Sequence, residues 1–141
     1  MLETPHSLLG GAIGAATGNP VAAAGLATAS HFAGDYLPHW NPKFPVYSKK
    51  VYVFIVADFT LALALVPIFY VLFPDQPEIA VGAFFGCLPD IVLGFRFTFK
   101  LKFLRAYEKL HETMQWEVPF WYGIWPQLAV SVGSAAYLLS Q

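Results

Sequence analysis

The chain alternates between long apolar runs and short clusters of proline, glycine and charge, and because the runs exceed strand length they read as helices. Thr4 before Pro5 predicts a capped helix over about 5–17, interrupted by Gly18-Asn19-Pro20. Pro20 opens a second helix over about 20–37, which Pro38 closes. Asn41-Pro42-Lys43-Phe44-Pro45 reads as a rigid non-helical loop. A third helix, about 48–73, is apolar apart from Asp58, with a kink expected at Pro67. Pro74-Asp75-Gln76-Pro77 is a polar turn, and a fourth helix over about 78–95 contains Pro89-Asp90. From about 97 to 116 the pattern changes: Leu101, Leu104, Tyr107, Leu110, His111 and Met114 form one stripe, with Lys102, Arg105, Lys109 and Glu112 elsewhere, as in an amphipathic helix on a membrane face. A last helix over about 118–139 starts beside Trp116, Trp121, Tyr122 and Trp125, the residue types of a membrane–water interface.

Composition places these helices in a bilayer. Of 141 residues, 57% are hydrophobic and 12% charged, whereas a soluble domain carries about a quarter charged residues. The expected fold is all-α: a polytopic membrane bundle of four to five embedded helices plus one amphipathic helix at the cytoplasmic face, forming a single domain over residues 1–141. The first helix is short against the roughly 20 residues of a full crossing. All eight basic residues fall in two segments, Lys43, Lys49 and Lys50, then Arg96, Lys100, Lys102, Arg105 and Lys109. The positive-inside rule puts both segments, and with them the N-terminus, in the cytoplasm. No cleaved signal peptide is expected, and the lone Cys87 excludes an intramolecular disulfide. Membrane lipids are the expected partners, and nucleic acid is not.

The polar residues inside the apolar runs are few, and they gather at one depth. At 1.5 Å per residue, Asp58 lies roughly 12 Å in from Lys50, His31 a similar distance from His39, and Asp90 roughly 9 Å from Arg96. His6, Asp35, His39 and His111 lie nearer the same surface. Small residues at four-residue steps lead toward these groups: His6, Gly10, Gly14 and Gly18; Ala23, Ala27, His31 and Asp35; Gly82, Gly86, Asp90 and Gly94. Such rows let membrane helices approach closely, so the tightest faces should carry the ionisable groups.

An aspartate at the centre of a spanning helix costs about 2.5 to 3.5 kcal/mol, and no lysine or arginine lies in any apolar run to pair with it. A divalent metal would offset that cost. The mixed nitrogen and oxygen donors of His6, His31, Asp35, His39, Asp58 and Asp90 suit zinc first, with manganese and iron as alternatives. His111 and Glu112 are the catalytic candidates, Glu112 as a general base, and a metal with an open position supplies an activated water for hydrolysis.

At His31-x-x-Gly34-Asp35 the chain resembles the metal-ligand segment of the zinc-dependent phospholipase C and single-strand nuclease superfamily. Pro5-His6, Ser30-His31-Phe32 through Asp35 to Pro38-His39, and Leu88-Pro89-Asp90 resemble the small prokaryotic proteins classed as predicted membrane-bound metal-dependent hydrolases. The Arg-Gly-x-Thr-His-Ser segment of several members has no counterpart here, and His111-Glu112 is the candidate substitute. The resemblance implies a membrane-bound, metal-dependent hydrolase of a prokaryote; with the basic segments on the cytoplasmic side, it would act at the inner face of the cytoplasmic membrane on a phosphoester or lipid-like substrate, and those same segments make an anionic lipid a further candidate partner. Two plainer readings accompany it. The buried Asp and His residues suit a small proton or cation transporter or channel-like bundle, and they equally suit a non-catalytic subunit whose polar groups only hold helices together.

Overall fold

A computed structural model describes residues 1–42 and 48–141, and within them the chain is all-α. The helices are α1 Glu3–Thr17, α2 Pro20–Asp35, α3 Lys49–Leu72, α4 Pro77–Thr98, α5 Arg105–Thr113 and α6 Phe120–Leu138, with a 3-10 turn at Lys102–Leu104. Lys43, Phe44 and Pro45 of the predicted loop lie outside the described residues.

Among the described residues two helices, α3 and α4, are long and apolar enough to cross a membrane, with 24 and 22 residues. Four to five were expected. The remaining apolar helices are shorter, at 15 residues for α1, 16 for α2 and 19 for α6. Along α3 only Ala62 and Phe69 are buried, so most of its apolar surface faces outward.

The centre of the bundle is the contact of α1 with α4, and it is made by the small-residue rows. A Cβ on Gly10 would collide with the Gly82 carbonyl, one on Gly14 with the Glu78 carbonyl, and one on Gly86 with the His6 carbonyl. Backbone therefore lies against backbone, as small-residue faces permit. The rows end at His6 on one helix and Asp90 on the other.

How α1 begins differs from the sequence expectation. Its N-cap is Leu2, and Thr4 is not a cap. A helix start leaves four N–H groups without intrahelical partners, and here other helices supply the acceptors. Asp58 of α3 accepts from Glu3 N–H at 2.7 Å, from Thr4 N–H at 3.3 Å and from the Thr4 hydroxyl at 2.6 Å. Gln127 of α6 accepts from Leu2 N–H at 2.8 Å and donates to the carbonyls of Trp40 and Gly123. The second helix starts as expected, with Pro20 in its first turn and Asn19 accepting from Val21 and Ala22 N–H.

The continuous amphipathic helix over 97–116 is not formed. Instead α4 runs on to Thr98 and stops where Lys100 takes a left-handed φ of 54°. Leu101 N–H then donates to the Arg96 carbonyl at 3.1 Å, the six-to-one bond of a Schellman ending. The chain turns, and nine-residue α5 doubles back along α4. Tyr107 donates to the Pro89 carbonyl at 2.9 Å, and Arg96 pairs with Glu108 at 3.0 Å. These contacts orient α5 so that His111 is buried.

Candidate metal centre

Five of the ionisable residues singled out from the sequence meet at one end of the bundle: His6 from α1, His31 and Asp35 from α2, Asp90 from α4 and His111 from α5. His31 and His111 are its core, with Nε2 atoms 3.1 Å apart. Asp35 Oδ2 lies 3.3 Å from His31 Nε2 and 3.5 Å from His111 Nε2. On the other side Asp90 Oδ1 lies 3.8 and 3.0 Å from the same two nitrogens. Four ligands at zinc distances of about 2.0–2.1 Å stand about 3.3–3.4 Å from one another in a tetrahedron. Each triangle of two imidazoles and one carboxylate matches a face of that figure to within a few tenths of an ångström.

The hydrogen bonds assign the ring tautomers. His31 Nδ1–H donates to the Gly86 carbonyl at 2.8 Å, which leaves Nε2 as a free lone pair aimed at the cluster. That donation fixes the ring on the backbone of α4. His111 has the opposite arrangement: Gln115 Nε2 lies 3.3 Å from His111 Nδ1 and donates toward it, so Nε2–H donates to Asp90. A metal binding there displaces this proton.

Asp35 joins the centre to a second group. Its Oδ1 accepts from His6 Nε2 at 3.2 Å and contacts the Met1 amino group, while Oδ2 accepts from Gln115 Nε2 at 2.7 Å. The His6 ring stacks on that of His31 at 3.8 Å, and its Nδ1 is buried with no partner. His6, His31 and Asp35 thus offer a further set of atoms close enough to share an ion.

Three sequence candidates are placed elsewhere. Asp58 spends its carboxylate on the start of α1, so it is structural in this arrangement. His39 is buried, but its Nδ1 lies 2.9 Å from the Leu37 carbonyl and its Nε2 2.9 Å from Gln115 Oε1, so it reaches the centre only through Gln115. Burial holds the His39 pKa below the ordinary histidine value, against the pull of these two acceptors. Glu112 is exposed on α5 and is not brought to the cluster.

Two residues that the sequence did not single out belong here. Gln115 bridges His39, His111 and Asp35. Glu3 is buried beside the Asp90 carboxyl and the Cys87 thiol, with neither carboxylate oxygen hydrogen-bonded. Both sit at an end of an element, where periodicity carries no signal. Around the centre, burial together with the Asp90 and Asp35 carboxylates raises the Tyr107 hydroxyl to a pKa of about 12, so it remains a donor to Pro89. No protein-family model, curated protein or solved structure matches the chain.

Proposed function

We propose that this chain is a membrane-embedded metal-dependent hydrolase, with α1, α2 and α6 lying in the bilayer beside α3 and α4 and the site at the cytoplasmic face of a prokaryotic inner membrane. The observation that carries the reading is the pair of His31–His111–carboxylate triangles, whose edges of 3.0–3.8 Å fit a tetrahedral ion. His31, His111, Asp35 and Asp90 would hold the ion, zinc by donor type, and bound there it would supply Lewis acidity for hydrolysis of a phosphoester or lipid-like substrate. His6 and Gln115 orient Asp35 from its two sides, and Tyr107 holds α5 in place. The basic segment Lys100, Lys102, Arg105 and Lys109 is exposed and would face the headgroups. This reading agrees with the sequence likeness to membrane-bound metal-dependent hydrolases.

The test is hydrolysis of p-nitrophenyl laurate and bis(p-nitrophenyl) phosphate by the zinc-loaded protein in nanodiscs. Turnover of at least one should fall on the order of 100-fold or more in Asp90→Asn. Equal rates in the two proteins would refute the assignment. A second reading draws on one observation: Asp90, His111, His31, Asp35 and His6 form an unbroken string of ionisable groups, as a proton or cation relay needs. Ion flux in proteoliposomes that Asp90→Asn abolishes, from a protein binding no metal, would favour it.

A further inference from the structure

The way into the centre is narrow. His6, His31 and Asp35 have fully buried side chains and His111 is 5% exposed, whereas Asp90 is 27% exposed. Asp90 reaches the surface in a cavity of about 520 Å³ between α3, α4 and the start of α1, within the size range of small-molecule sites. A ligand approaching the metal ligands by this route enters past Asp90.

The cavity has two unlike walls. Ile55 and Phe59 of α3 and Leu93 and Phe97 of α4 form an apolar side. Glu3, Asp58, Asp90 and Glu117 form an acidic one; Met1 also lines the cavity, its amino group paired with Asp35, and no lysine, arginine or histidine is among the described residues lining it. Two of the four acids already have partners, Asp58 at the start of α1 and Asp90 at His111. Glu3 has none, although it is only 5% exposed. A buried carboxylate in apolar surroundings calls for a donor or a cation, and a low-dielectric cleft in which four acids stand against the one Met1 amino group, itself paired with Asp35, concentrates positive charge. An anionic head would meet repulsion at every acid of this wall. An ammonium brings one positive charge and three donors, and an alkyl chain attached to it would lie against the apolar wall.

We propose that this cavity binds a single-chain amphiphile with an ammonium head, the head between Glu3 and Glu117 beside Asp90 and the chain along Ile55, Phe59, Leu93 and Phe97. It rests on the hydrolase reading only in making that amphiphile the substrate. In that case the lipid-like alternative holds, for an amphiphile with a hydrolysable bond and a cationic head, rather than the phosphoester one.

The experiment is displacement of a dansyl-labelled alkylamine from the full chain in dodecyl maltoside, by dodecylamine or by dodecyl phosphate, with metal content measured on the same samples. Dodecylamine should displace the probe at a concentration about tenfold or more below dodecyl phosphate, a difference of about 1.4 kcal/mol. The ratio should fall to about one in Glu3→Gln/Glu117→Gln. Gly94 lines the cavity with open space where a side chain would go, so Gly94→Leu should fill it without backbone collision and weaken dodecylamine binding by about tenfold. If the double variant does not fold, Gly94→Leu decides. Dodecyl phosphate binding as well as dodecylamine, a preference unchanged in Glu3→Gln/Glu117→Gln, or dodecylamine affinity unchanged in Gly94→Leu, would overturn the proposal. A preference kept by protein that takes up no metal would retire the hydrolase reading and leave this one standing, and metal bound without the preference would retire this one alone.

Discussion

At the scale of single residues, the two aspartates Asp35 and Asp58 separate binding from folding. Asp35 accepts from His6, contacts the Met1 amino group and accepts from Gln115, and it lies within 3.5 Å of the Nε2 atoms of His31 and His111. Its replacement leaves several polar groups facing one amide. Asp35→Asn should abolish stoichiometric metal binding and destabilise the fold by about 3–5 kcal/mol, the cost of breaking a buried ionic contact. Asp58→Asn weakens the donors' acceptor at the start of α1 and should cost about 1–3 kcal/mol while metal content stays unchanged. Thermal unfolding in detergent with elemental analysis of both variants checks the pair, and metal lost equally from both would contradict the division. His39 gives a pH dependence. Its folded pKa lies below the unfolded value of about 6.5, so the unfolded chain binds the extra proton first as the pH drops. The His39 contribution is therefore present above about pH 6.5 and is lost as pH falls toward the folded pKa. The slope of melting temperature against pH between 6.5 and 5 should flatten in His39→Gln, and an unchanged slope would remove His39 as its source.

At the scale of elements, the glycines sort by what they touch. Gly10→Ala drives a methyl into the Gly82 carbonyl and should cost about 1–3 kcal/mol, as overpacking does. Gly133 on α6 has nothing within 4 Å of where its Cβ would lie, and Gly133→Ala should stabilise by about 0.4–1 kcal/mol through the unfolded chain. Thermal melts of the two variants should move in opposite directions. The four-residue rows on α1 and α4 made their contact legible in the sequence, because spacing alone puts Gly10 and Gly14 on one face and Gly82 and Gly86 on another. The His31 and Asp35 pair was legible for the same reason. The place of Asp58 at the start of α1, away from the other candidate ligands, was not legible, because it depends on where α1 begins in space, which no local pattern in α3 records. Thr4 looked like a cap on its own sequence, yet α1 takes its acceptors from Asp58 and Gln127. The stripe from Leu101 to Met114 matched helical periodicity, but periodicity is blind to the left-handed turn at Lys100 that divides the segment.

At the scale of the whole molecule, five ionisable groups from four helices converge at one end of the bundle, while α3 turns its apolar surface outward. Such a convergence is costly in an apolar setting unless it is neutralised, and the donor types and spacings could hold a divalent ion. Occupancy of this centre by a metal is therefore decisive. The most direct measurement is elemental analysis of the full chain purified in nonionic detergent under conditions where its helical circular dichroism is intact, beside the His31→Ala variant. We predict about one zinc, manganese or iron per chain and its loss in the variant. A folded protein carrying well under one such ion per chain after incubation with these metals, or a variant that retains its metal, would contradict the account.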